Sequence, residues 1–576
     1  MKVTLVSTYS YPLALGLRYI SSCLKAVGHD VQMIFMSSKR ATAALDYTHA
    51  TIESFVERCR GADLVGMSLM TNSFNRASVL TDALREAGNH VPVIWGGTHP
   101  TVAPDESLAR ADMVCVGEGE EPMLQLVERM EAGRDPTDVG SIWFRADGPF
   151  RNRDTIRNAV QPLNENLDAY PFPDYELHTH WVVDKGELVP ARPENLRGTI
   201  RHFRVESARG CPYSCAFCNN AALMAVHKDK GPWVRKRSNE NVIREIEKAL
   251  ASFPEIEDIN VIDDLFFIRN EEETEDFVER YISRVNLPIQ LDAFPNTVTE
   301  RKVAALSRMP IDLISMGIQS GSPDTLQNIY RRRTPIKKII ECMTLFRRYG
   351  LKTEYHYIIT NPYEPDENVI ETMRFVANHH HGPTKLRIFP LMFYPGTPLF
   401  ERACADGVID RRDPHAYDFA YTPRYLFARH DYLSTWLHVI LALRNVRVPS
   451  WWCHRLIDLV TSRPVRKCID RPAFGPVSIA TYRVFRKVYK LLVYQPFVRP
   501  YRSLRTRFMR DRRASGGVPA PEHRPAGDLE SSAAPGGGRS RPLWTVPRTG
   551  AAPRYADAGP ERLAPSAKVP PASPGR

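Results

Sequence analysis

Apolar positions in residues 1–132 alternate between short continuous runs and segments with a helical period. Val3 to Ser7 is a run typical of a buried strand, and Gly16 to Ala26 has the 3.6-residue period of an amphipathic helix that ends before Gly28. The same order repeats along this part of the chain, with strands at 31–35, 64–68, 91–95 and 113–116 and helices at 51–60, 74–87 and 122–130. Repeated βα units predict an α/β fold with a doubly wound parallel sheet, which binds ligands at the carboxyl ends of its strands.

A second alternating region extends from Arg201 to about Met392. Its predicted strands are 203–208, 256–262, 288–293, 311–318, 352–359 and 385–392, and its predicted helices are 239–252, 271–284, 299–307, 323–330, 335–348 and 366–378. Six βα units suit a partial (βα)6 barrel, whose chemistry is expected at the carboxyl ends of the strands.

The rest of the chain is less regular, and it sets the predicted domain boundaries. Residues 133–199 are rich in proline and read as a linker, residues 413–513 read as a small helical cap with a basic end, and residues 514–576 read as a disordered tail. The predicted domains are therefore 1–132, 133–199, 200–412, 413–513 and 514–576.

The net charge of +11 is concentrated near one end, because Arg483 to Arg513 holds eleven Lys and Arg residues and a single acid, Asp511. A solvated helix is the first interpretation of this stretch, and contact with an anionic membrane surface is an open alternative. Nucleic acid is the least favoured partner. Ten cysteines in a long chain suit a reducing cytoplasm, and neither a signal peptide nor a membrane span is evident.

Three cysteines lie within eight residues, directly after the first predicted strand of the second region. Cys211, Cys215 and Cys218 are close enough to bind a metal cluster, and three thiolates on four irons would leave one iron open to another ligand. Two other interpretations remain: a zinc site completed by His202 or His227, and three unrelated core cysteines.

The Cys-x3-Cys-x2-Cys spacing, with Phe217 just before the last cysteine, resembles the cluster loop of radical S-adenosylmethionine (SAM) enzymes. The resemblance implies that Cys211, Cys215 and Cys218 hold a [4Fe-4S] cluster and that SAM occupies its fourth iron. Reduction by a donor such as flavodoxin or ferredoxin would then cleave SAM to a 5′-deoxyadenosyl radical.

The first region also resembles a known domain. Gly-Gly-Thr-His-Pro at 96–100 and Gly-Glu-Gly-Glu at 117–120 are similar to the flavodoxin-like cobalamin-binding domain that precedes the radical SAM core in one large subclass. The cobalamin-binding residues this implies are Ser68, Thr71, Gly96, Gly97, Thr98, Gly117, Glu118 and Gly119. Without the resemblance, the glycines would simply mark tight turns.

The Asp-x-His-x-x-Gly signature of other cobalamin domains is absent from this chain. His99 stands in a different context, so we expect it to be a structural histidine. The subclass therefore implies base-off cobalamin with no protein histidine on cobalt.

Three strand ends of the second region resemble SAM-binding turns of the family. They are Asp-Asp-x-x-Phe at 263–267, Gly-x-Gln-Ser-Gly-Ser at 317–322, and a turn at 360–364 in which Thr360 and Tyr363 replace the usual glycines. The predicted SAM-binding residues are Asp263, Gln319, Ser320 and Arg235, with Arg331 as an alternative carboxylate partner. No residue is assigned a catalytic role.

Together the resemblances imply a cobalamin-dependent radical SAM enzyme of the class B type. We expect a methyltransferase that acts on an unactivated carbon, or on phosphorus, of a small-molecule or peptide substrate. Ring formation, ring contraction or another rearrangement is the alternative, and a non-catalytic cobalamin sensor is a remote one. A methylthiotransferase is disfavoured because Cys23, Cys59 and Cys115 fall on separate predicted elements.

Overall fold

The computed structural model describes residues 1–9, 14–36, 47–150, 153–381, 385–411 and 428–465. The basic stretch 483–513 and the tail 514–576 lie outside the described residues, so the predictions made for them stay predictions.

The first region folds as the predicted doubly wound sheet. Its five central strands are all parallel and lie in the order β5-β4-β3-β1-β2. These strands are β1 (Lys2–Ser7), β2 (Asp30–Phe35), β3 (Leu64–Ser68), β4 (Val93–Gly96) and β5 (Met113–Cys115). The helices are α1 (Leu15–Ala26), α2 (His49–Arg58), α3 (Phe74–Glu86), α4 (Thr98–Val102), α5 (Pro104–Leu108) and α6 (Glu120–Glu131).

The predicted linker contributes strands to this sheet, so the sheet extends beyond residue 132. The added strands are β6 (Ile142–Phe144), β7 (Ile156–Arg157), β8 (His180–Asp184) and β9 (Glu187–Pro190), followed by α7 (Pro193–Ile200). Three of the four added pairings are antiparallel, and they widen the sheet to nine strands. Strands of two to five residues are too short to show a clear hydrophobic period, which is why the sequence reads as a connector.

The second region is a six-stranded, wholly parallel sheet in the order β10-β13-β14-β15-β16-β17. Its strands are β10 (His202–Val205), β13 (Asp258–Val261), β14 (Ile289–Ala293), β15 (Ile311–Gln319), β16 (Thr353–Ile359) and β17 (Lys385–Pro390). The helices are α8 (Asn219–Val226), α9 (Asn239–Ser252), α10 (Glu271–Arg284), α11 (Glu300–Leu306), α12 (Ile336–Arg348), α13 (Asp366–His379) and α14 (Pro398–Ala405). This arrangement confirms the predicted (βα)6 half-barrel.

The strand predicted at 203–208 is interrupted. It divides into β10 and a short β11 (Ala208–Arg209), and β11 pairs antiparallel with β12 (Arg235–Lys236). The carboxylate of Asp263 accepts hydrogen bonds from the backbone N–H groups of Ser207 and Ala208, at 2.5 and 3.0 Å, which draws the chain out of the sheet. The cysteine loop therefore begins from a small ribbon rather than from the end of a continuous strand.

Two predicted helix boundaries also differ. The segment expected to be helical at 323–330 forms a π-helical turn, Thr325–Ile329, and α12 begins at Ile336 with Pro335 as its N-cap residue. π-helical turns occur often at functional sites, and this one precedes three consecutive arginines.

Two helices of the predicted cap are described, α15 (Ala428–Asn445) and α16 (Ser450–Val460). Both pack against α13 on the outer side of the half-barrel, and Leu437 and Ile440 are buried there. Among the described helices, none is long and apolar enough to cross a bilayer.

Candidate functional site: a cavity between the two sheets

One cavity joins the carboxyl edge of the first sheet to the start of the cysteine loop. It encloses about 1240 Å³ of empty space, its open mouth included. From the first region it is lined by Ser68, Gly97 and Gly117, and from the second by Gly210 and Asp264, among others. The two predicted cofactor regions therefore open into the same space.

Seven of the eight residues predicted for cobalamin line this cavity. They are Ser68, Gly96, Gly97, Thr98, Gly117, Glu118 and Gly119. Thr71 is the exception: its hydroxyl lies 3.3 Å from Nδ1 of His99, in the packing behind the cavity wall. Parallel strands of one sheet bring their carboxyl ends to one edge, which explains why residues from three separate turns meet.

His99 is completely buried and contacts the ring of Phe74 edge-on. Burial lowers its pKa to about 4, so the imidazole is neutral near pH 7. This position agrees with the structural role expected for His99.

Gly117 shows how closely the two regions approach each other. Its φ of +99° is in the left-handed region, and a Cβ there would lie 2.8 Å from Nε2 of His227. Only glycine therefore fits between the first sheet and the end of α8 without displacing one of them.

The cysteine loop is held on several sides by the half-barrel. Trp233 Nε1 donates to the Cys211 carbonyl at 3.1 Å, and the Ala216 N–H donates to the Tyr330 carbonyl at 2.8 Å. Tyr213 stacks on Phe294 with ring centroids 3.9 Å apart. A loop fixed in this way presents its thiols in one arrangement before any cluster binds.

The three cysteines are close enough to influence one another electrostatically. Burial raises the pKa of Cys211 to about 11 and that of Cys218 to about 12, and the neighbouring thiols add to the rise. Cys211 and Cys218 are therefore neutral thiols at pH 7 and must lose their protons when they bind metal. Within the described residues, no three His, Cys, Asp or Glu side chains converge on a single metal ion. In a cluster the cysteines bind different irons, so they need not converge.

The zinc interpretation fails on the positions of its histidines. His202 lies at the start of β10 and pairs with Asp258 at 2.8 Å, at the opposite end of the strand from the cysteine loop. His227 lies at the end of α8, and its Nδ1 is 2.8 Å from the Leu223 carbonyl. Within the described residues, neither histidine belongs to a group of three or more His, Cys, Asp or Glu side chains that could hold a single metal ion.

Arg332 is a candidate residue that the sequence analysis missed. It is buried, its Nη1 lies 3.9 Å from the Cys215 sulfur, and its guanidinium stacks over Phe294 at 4.0 Å. Burial lowers its pKa, and the nearby thiols oppose that shift. The sequence offers three consecutive arginines, and nothing in their spacing shows which one turns inward.

The predicted SAM residues do not all face open space. Asp263 is buried, and its carboxylate accepts hydrogen bonds from the backbone N–H groups of Ser207 and Ala208. Burial raises the pKa of this carboxyl group to about 6. Its neighbour Asp264 lines the cavity and accepts from the Gly210 N–H at 3.1 Å. Asp264 is thus the better placed member of the pair.

Gln319 and Ser320 follow β15 but have different surroundings. Gln319 is half-buried with a φ of +73°, beside the carbonyl of Gly317 that Arg332 binds. Ser320 is buried, and its hydroxyl lies 3.2 Å from the Glu364 carboxylate. Gln319 is therefore partly exposed, whereas Ser320 is buried on the other side of the turn and stabilises it through Glu364. Thr360, where the family has glycine, still takes a left-handed φ of +56°.

Arg235 is engaged with the first region rather than with the cysteine loop. Its guanidinium forms a two-pronged ion pair with Glu118, with one N–O distance of 3.0 Å, and only 2% of its side chain is exposed. Arg209 adds a second link, with Nη2 2.7 Å from Glu120 and Nη1 3.3 Å from Glu118. Burial would raise the pKa of Glu118, but Arg209 and Arg235 lower it. These charges, named here the interdomain ion cluster (Glu118, Glu120, Arg209 and Arg235), fasten the two sheets at the cavity wall.

Two family models match the chain. The model of the B12 binding domain matches residues 1–127, and that of the Radical SAM superfamily matches residues 205–376. The first matched segment contains the five central strands of one sheet, and the second contains the cysteine loop and β13 to β16 of the other.

Two curated proteins and one solved structure are similar to the chain. An uncharacterized methyltransferase from Pyrococcus horikoshii is 27% identical over 69% of this chain and 79% of its own length. An anaerobic magnesium-protoporphyrin IX monomethyl ester cyclase from Rubrivivax gelatinosus is 24% identical over 62% of this chain and 61% of its own length. The cobalamin-dependent SAM radical enzyme OxsB, solved with aqua-cobalamin and SAM bound, is 15% identical with a TM-score of 0.59, covering 90% of this chain and 82% of that one. At this identity the structural match shows the shared fold.

Proposed function

The chain belongs to the cobalamin-dependent radical SAM enzymes, since a B12-binding domain and a radical SAM domain follow one another in it, and we propose that it is a methyltransferase. Its substrate is a small molecule or peptide, and the methyl group goes to an unactivated carbon or to phosphorus. The methyltransferase relative of similar length supports this proposal.

The single observation that carries the proposal is the shared cavity. Gly97 and Gly117 of the B12-binding domain and Gly210 and Asp264 of the radical SAM domain line the same space. Two cofactors that act on one substrate need such a common cavity, because a reactive group that crossed bulk water would be lost to side reactions.

The residues present fit the cofactors implied by the two domains. Cys211, Cys215 and Cys218 would hold the [4Fe-4S] cluster, Asp264 and Gln319 would contact SAM, and the glycine-lined edge would hold cobalamin. When bound, the cluster and SAM supply a radical that removes a substrate hydrogen, and cobalamin supplies the methyl group. The chain itself binds, orients and shields these groups.

The inner face of the half-barrel favours a polar substrate. Asp292, Ser315 and His356 lie on the face that the outer helices leave uncovered, and Glu354 there pairs with Arg387 at 2.8 Å. Burial raises the pKa of Asp292, and His356 opposes the rise. Charged groups on this face would bind ionisable or hydrogen-bonding substituents and would disfavour a purely hydrocarbon substrate.

We further propose a cytoplasmic location and an electron donor such as flavodoxin or ferredoxin. The nine described cysteines are free thiols, which suits a reducing compartment. Peripheral membrane contact through residues 483–513 stays a proposal that rests on their charge. Binding to vesicles with and without anionic lipid, using the full chain and a chain ending at 482, tests it.

The decisive experiment is anaerobic reconstitution with iron, sulfide and cobalamin, followed by addition of a one-electron reductant, a candidate polar substrate and SAM carrying a deuterated methyl group. A methyltransferase yields both 5′-deoxyadenosine and S-adenosylhomocysteine, and a product that is heavier by the labelled methyl group. Cys215→Ala should abolish formation of 5′-deoxyadenosine. Cys342→Ala, which alters a buried cysteine whose thiol donates a hydrogen bond to the Pro295 carbonyl, should not.

A second candidate function is radical cyclisation or rearrangement, which the cyclase relative favours. It predicts 5′-deoxyadenosine with no S-adenosylhomocysteine and no labelled product. That result would replace the methyltransferase proposal. Formation of neither product from the reconstituted protein would contradict both.

A further inference from the structure

His227 is a buried histidine at the cavity wall that none of the predicted cofactor contacts uses. It follows α8, its ring stacks on Trp233 with centroids 5.3 Å apart, and the residue is 5% exposed. Nδ1 lies 2.8 Å from the Leu223 carbonyl. A carbonyl can only accept, so Nδ1 carries a hydrogen, and in the tautomer that has its one hydrogen on Nδ1 the other ring nitrogen, Nε2, is a hydrogen-bond acceptor.

This acceptor has no partner among the described residues. Nε2 of His227 is buried and unpaired, and it approaches Gly117 closely enough that a Cβ on Gly117 would lie 2.8 Å away. Leaving a buried acceptor unpaired destabilises a protein, so such acceptors are normally satisfied. Nε2 of His227 is therefore satisfied when a ligand in the cavity donates a hydrogen bond to it.

The nearest protein donors are already engaged. Trp233 Nε1 donates to the Cys211 carbonyl, and the Gly117 N–H donates to Thr101 Oγ1 at 3.0 Å. A donor on the ligand of the cavity, which His227 lines, would complete this acceptor. Cobalamin is surrounded by carboxamide side chains, each with N–H groups to donate.

We propose that His227 Nε2 accepts a hydrogen bond from a carboxamide of bound cobalamin and so acts as a positioning residue. This inference rests on the proposed binding of cobalamin in the cavity. His227 belongs to the radical SAM domain and follows the helix that starts at the cluster cysteine Cys218, whereas Gly117 belongs to the B12-binding domain. The bond would fix the rim of cobalamin to the element that also carries the cluster loop.

The test measures cobalamin binding to the protein with its cluster, without SAM or substrate. His227→Phe keeps a ring that can stack on Trp233 but loses the acceptor, so the dissociation constant for hydroxocobalamin should rise about tenfold. His227→Gln offers a carbonyl acceptor and should recover part of the affinity. His454→Phe, a change in α16 far from the cavity lining, is the control and should bind as the wild type does.

Stability separates this role from a structural one. The thermal midpoint of cobalamin-free His227→Phe should fall by no more than a few degrees, because the change removes the Nδ1 hydrogen bond to the Leu223 carbonyl but breaks no hydrogen bond of Nε2 among the described residues. The rise in midpoint on adding cobalamin should be smaller for the variant. Equal affinity of His227→Phe and His227→Gln to the wild type would overturn the inference.

Paramagnetic resonance of bound cob(II)alamin tests the alternative of direct coordination. Nitrogen splitting in the wild type that disappears in His227→Phe would place His227 on cobalt and overturn the inference. These measurements use no SAM, so they test cobalamin binding separately from methyl transfer. Normal cobalamin binding by a protein that transfers no methyl group in the reconstitution experiment would contradict the proposed function alone. Absence of any cobalamin binding would contradict both.

Discussion

Three consecutive arginines differ in how far their side chains are buried. Arg331 and Arg333 are exposed, whereas Arg332 between them is buried beside the Cys215 sulfur. A guanidinium about 4 Å from a charge contributes on the order of 4 kcal/mol at the effective dielectric of a protein surface. Arg332 should therefore stabilise both the cluster thiolates and the electron that the cluster accepts.

We predict that Arg332→Met makes the cluster harder to reduce. Loss of a nearby positive charge disfavours the more negative reduced state, so the reduction potential should fall by roughly 60 mV, one decade in a one-electron equilibrium. Redox titration followed by paramagnetic resonance measures the potential. Arg331→Met and Arg333→Met are matched controls on either side, and an equal fall in either of them would contradict this role for Arg332.

Glu364 gives a residue-scale prediction about pH. It is buried beneath the turn after β15, and burial raises its pKa to about 7, although Thr325 and Ser320 donate hydrogen bonds to it. A raised carboxyl pKa means that the folded protein holds the proton more tightly than the unfolded chain. The stabilisation is full below the unfolded pKa of about 4.3 and is lost as the pH rises to about 7.

Glu364→Gln should remove that dependence. The loss of stability between pH 5 and pH 7, on the order of 2–3 kcal/mol for the wild type, should become much smaller in the variant. Urea unfolding at several pH values measures it. Glu371→Gln changes an exposed glutamate of α13 and should retain the wild-type slope; a Glu364→Gln variant with that same slope would show that Glu364 is not the titrating group.

At the scale of elements, the start of the cysteine loop depends on close packing between two backbone segments. Gly210 has a φ of +84°, and a Cβ there would collide with the Trp233 carbonyl. The loop and the segment before β12 approach each other because the β11–β12 ribbon joins them. The geometry of the thiols therefore depends on a contact between segments more than twenty residues apart.

We predict that Gly210→Ala lowers the iron content of the reconstituted protein several-fold. The collision would displace the loop that carries the thiols, while the two sheets should remain folded. Iron analysis with circular dichroism measures both effects. Gly350→Ala also changes a glycine with positive φ, +65°, but meets open space, so it separates backbone strain from collision. Equal iron loss in the two variants would rule out the collision as the cause.

At the scale of the whole molecule, the interdomain ion cluster holds the B12-binding domain against the radical SAM domain. Arg235 and Glu118 form one of its buried links between the sheets. Removing one partner of a buried pair costs up to about 3–5 kcal/mol, and Arg209, 3.3 Å from Glu118, should reduce that cost when Arg235 is removed. Removing both costs less, because no charge is left without a partner.

A double-mutant cycle tests this link. Arg235→Met alone should lower the thermal midpoint and weaken cobalamin binding, and Arg235→Met combined with Glu118→Gln should recover much of the stability. Calorimetry and a cobalamin titration measure the two effects. If the effects of the two substitutions on the free energy of unfolding simply add, the Arg235–Glu118 pair contributes no coupling energy between the domains.

The sequence by itself determined the central parallel strands of the two sheets and the cofactor class, but not the four short strands that residues 142–190 add to the first sheet. The five βα units, the six further units and the Cys-x3-Cys-x2-Cys loop are local features, since a strand, a helix or a cluster loop is encoded by residues close together in the chain. The glycine-rich turns near residues 96 and 117 were also predictable, because parallel strands bring their carboxyl ends to one edge.

Only the tertiary structure decided which polar groups meet. Asp264 rather than Asp263 faces the cavity, Arg332 rather than Arg331 lies beside the thiols, and Arg235 pairs with Glu118 of the other domain. Such choices depend on how far a side chain is buried and on partners distant in sequence, which spacing along the chain does not encode. His227 is the clearest example, because its unpaired nitrogen becomes evident only when α8 is packed against Gly117.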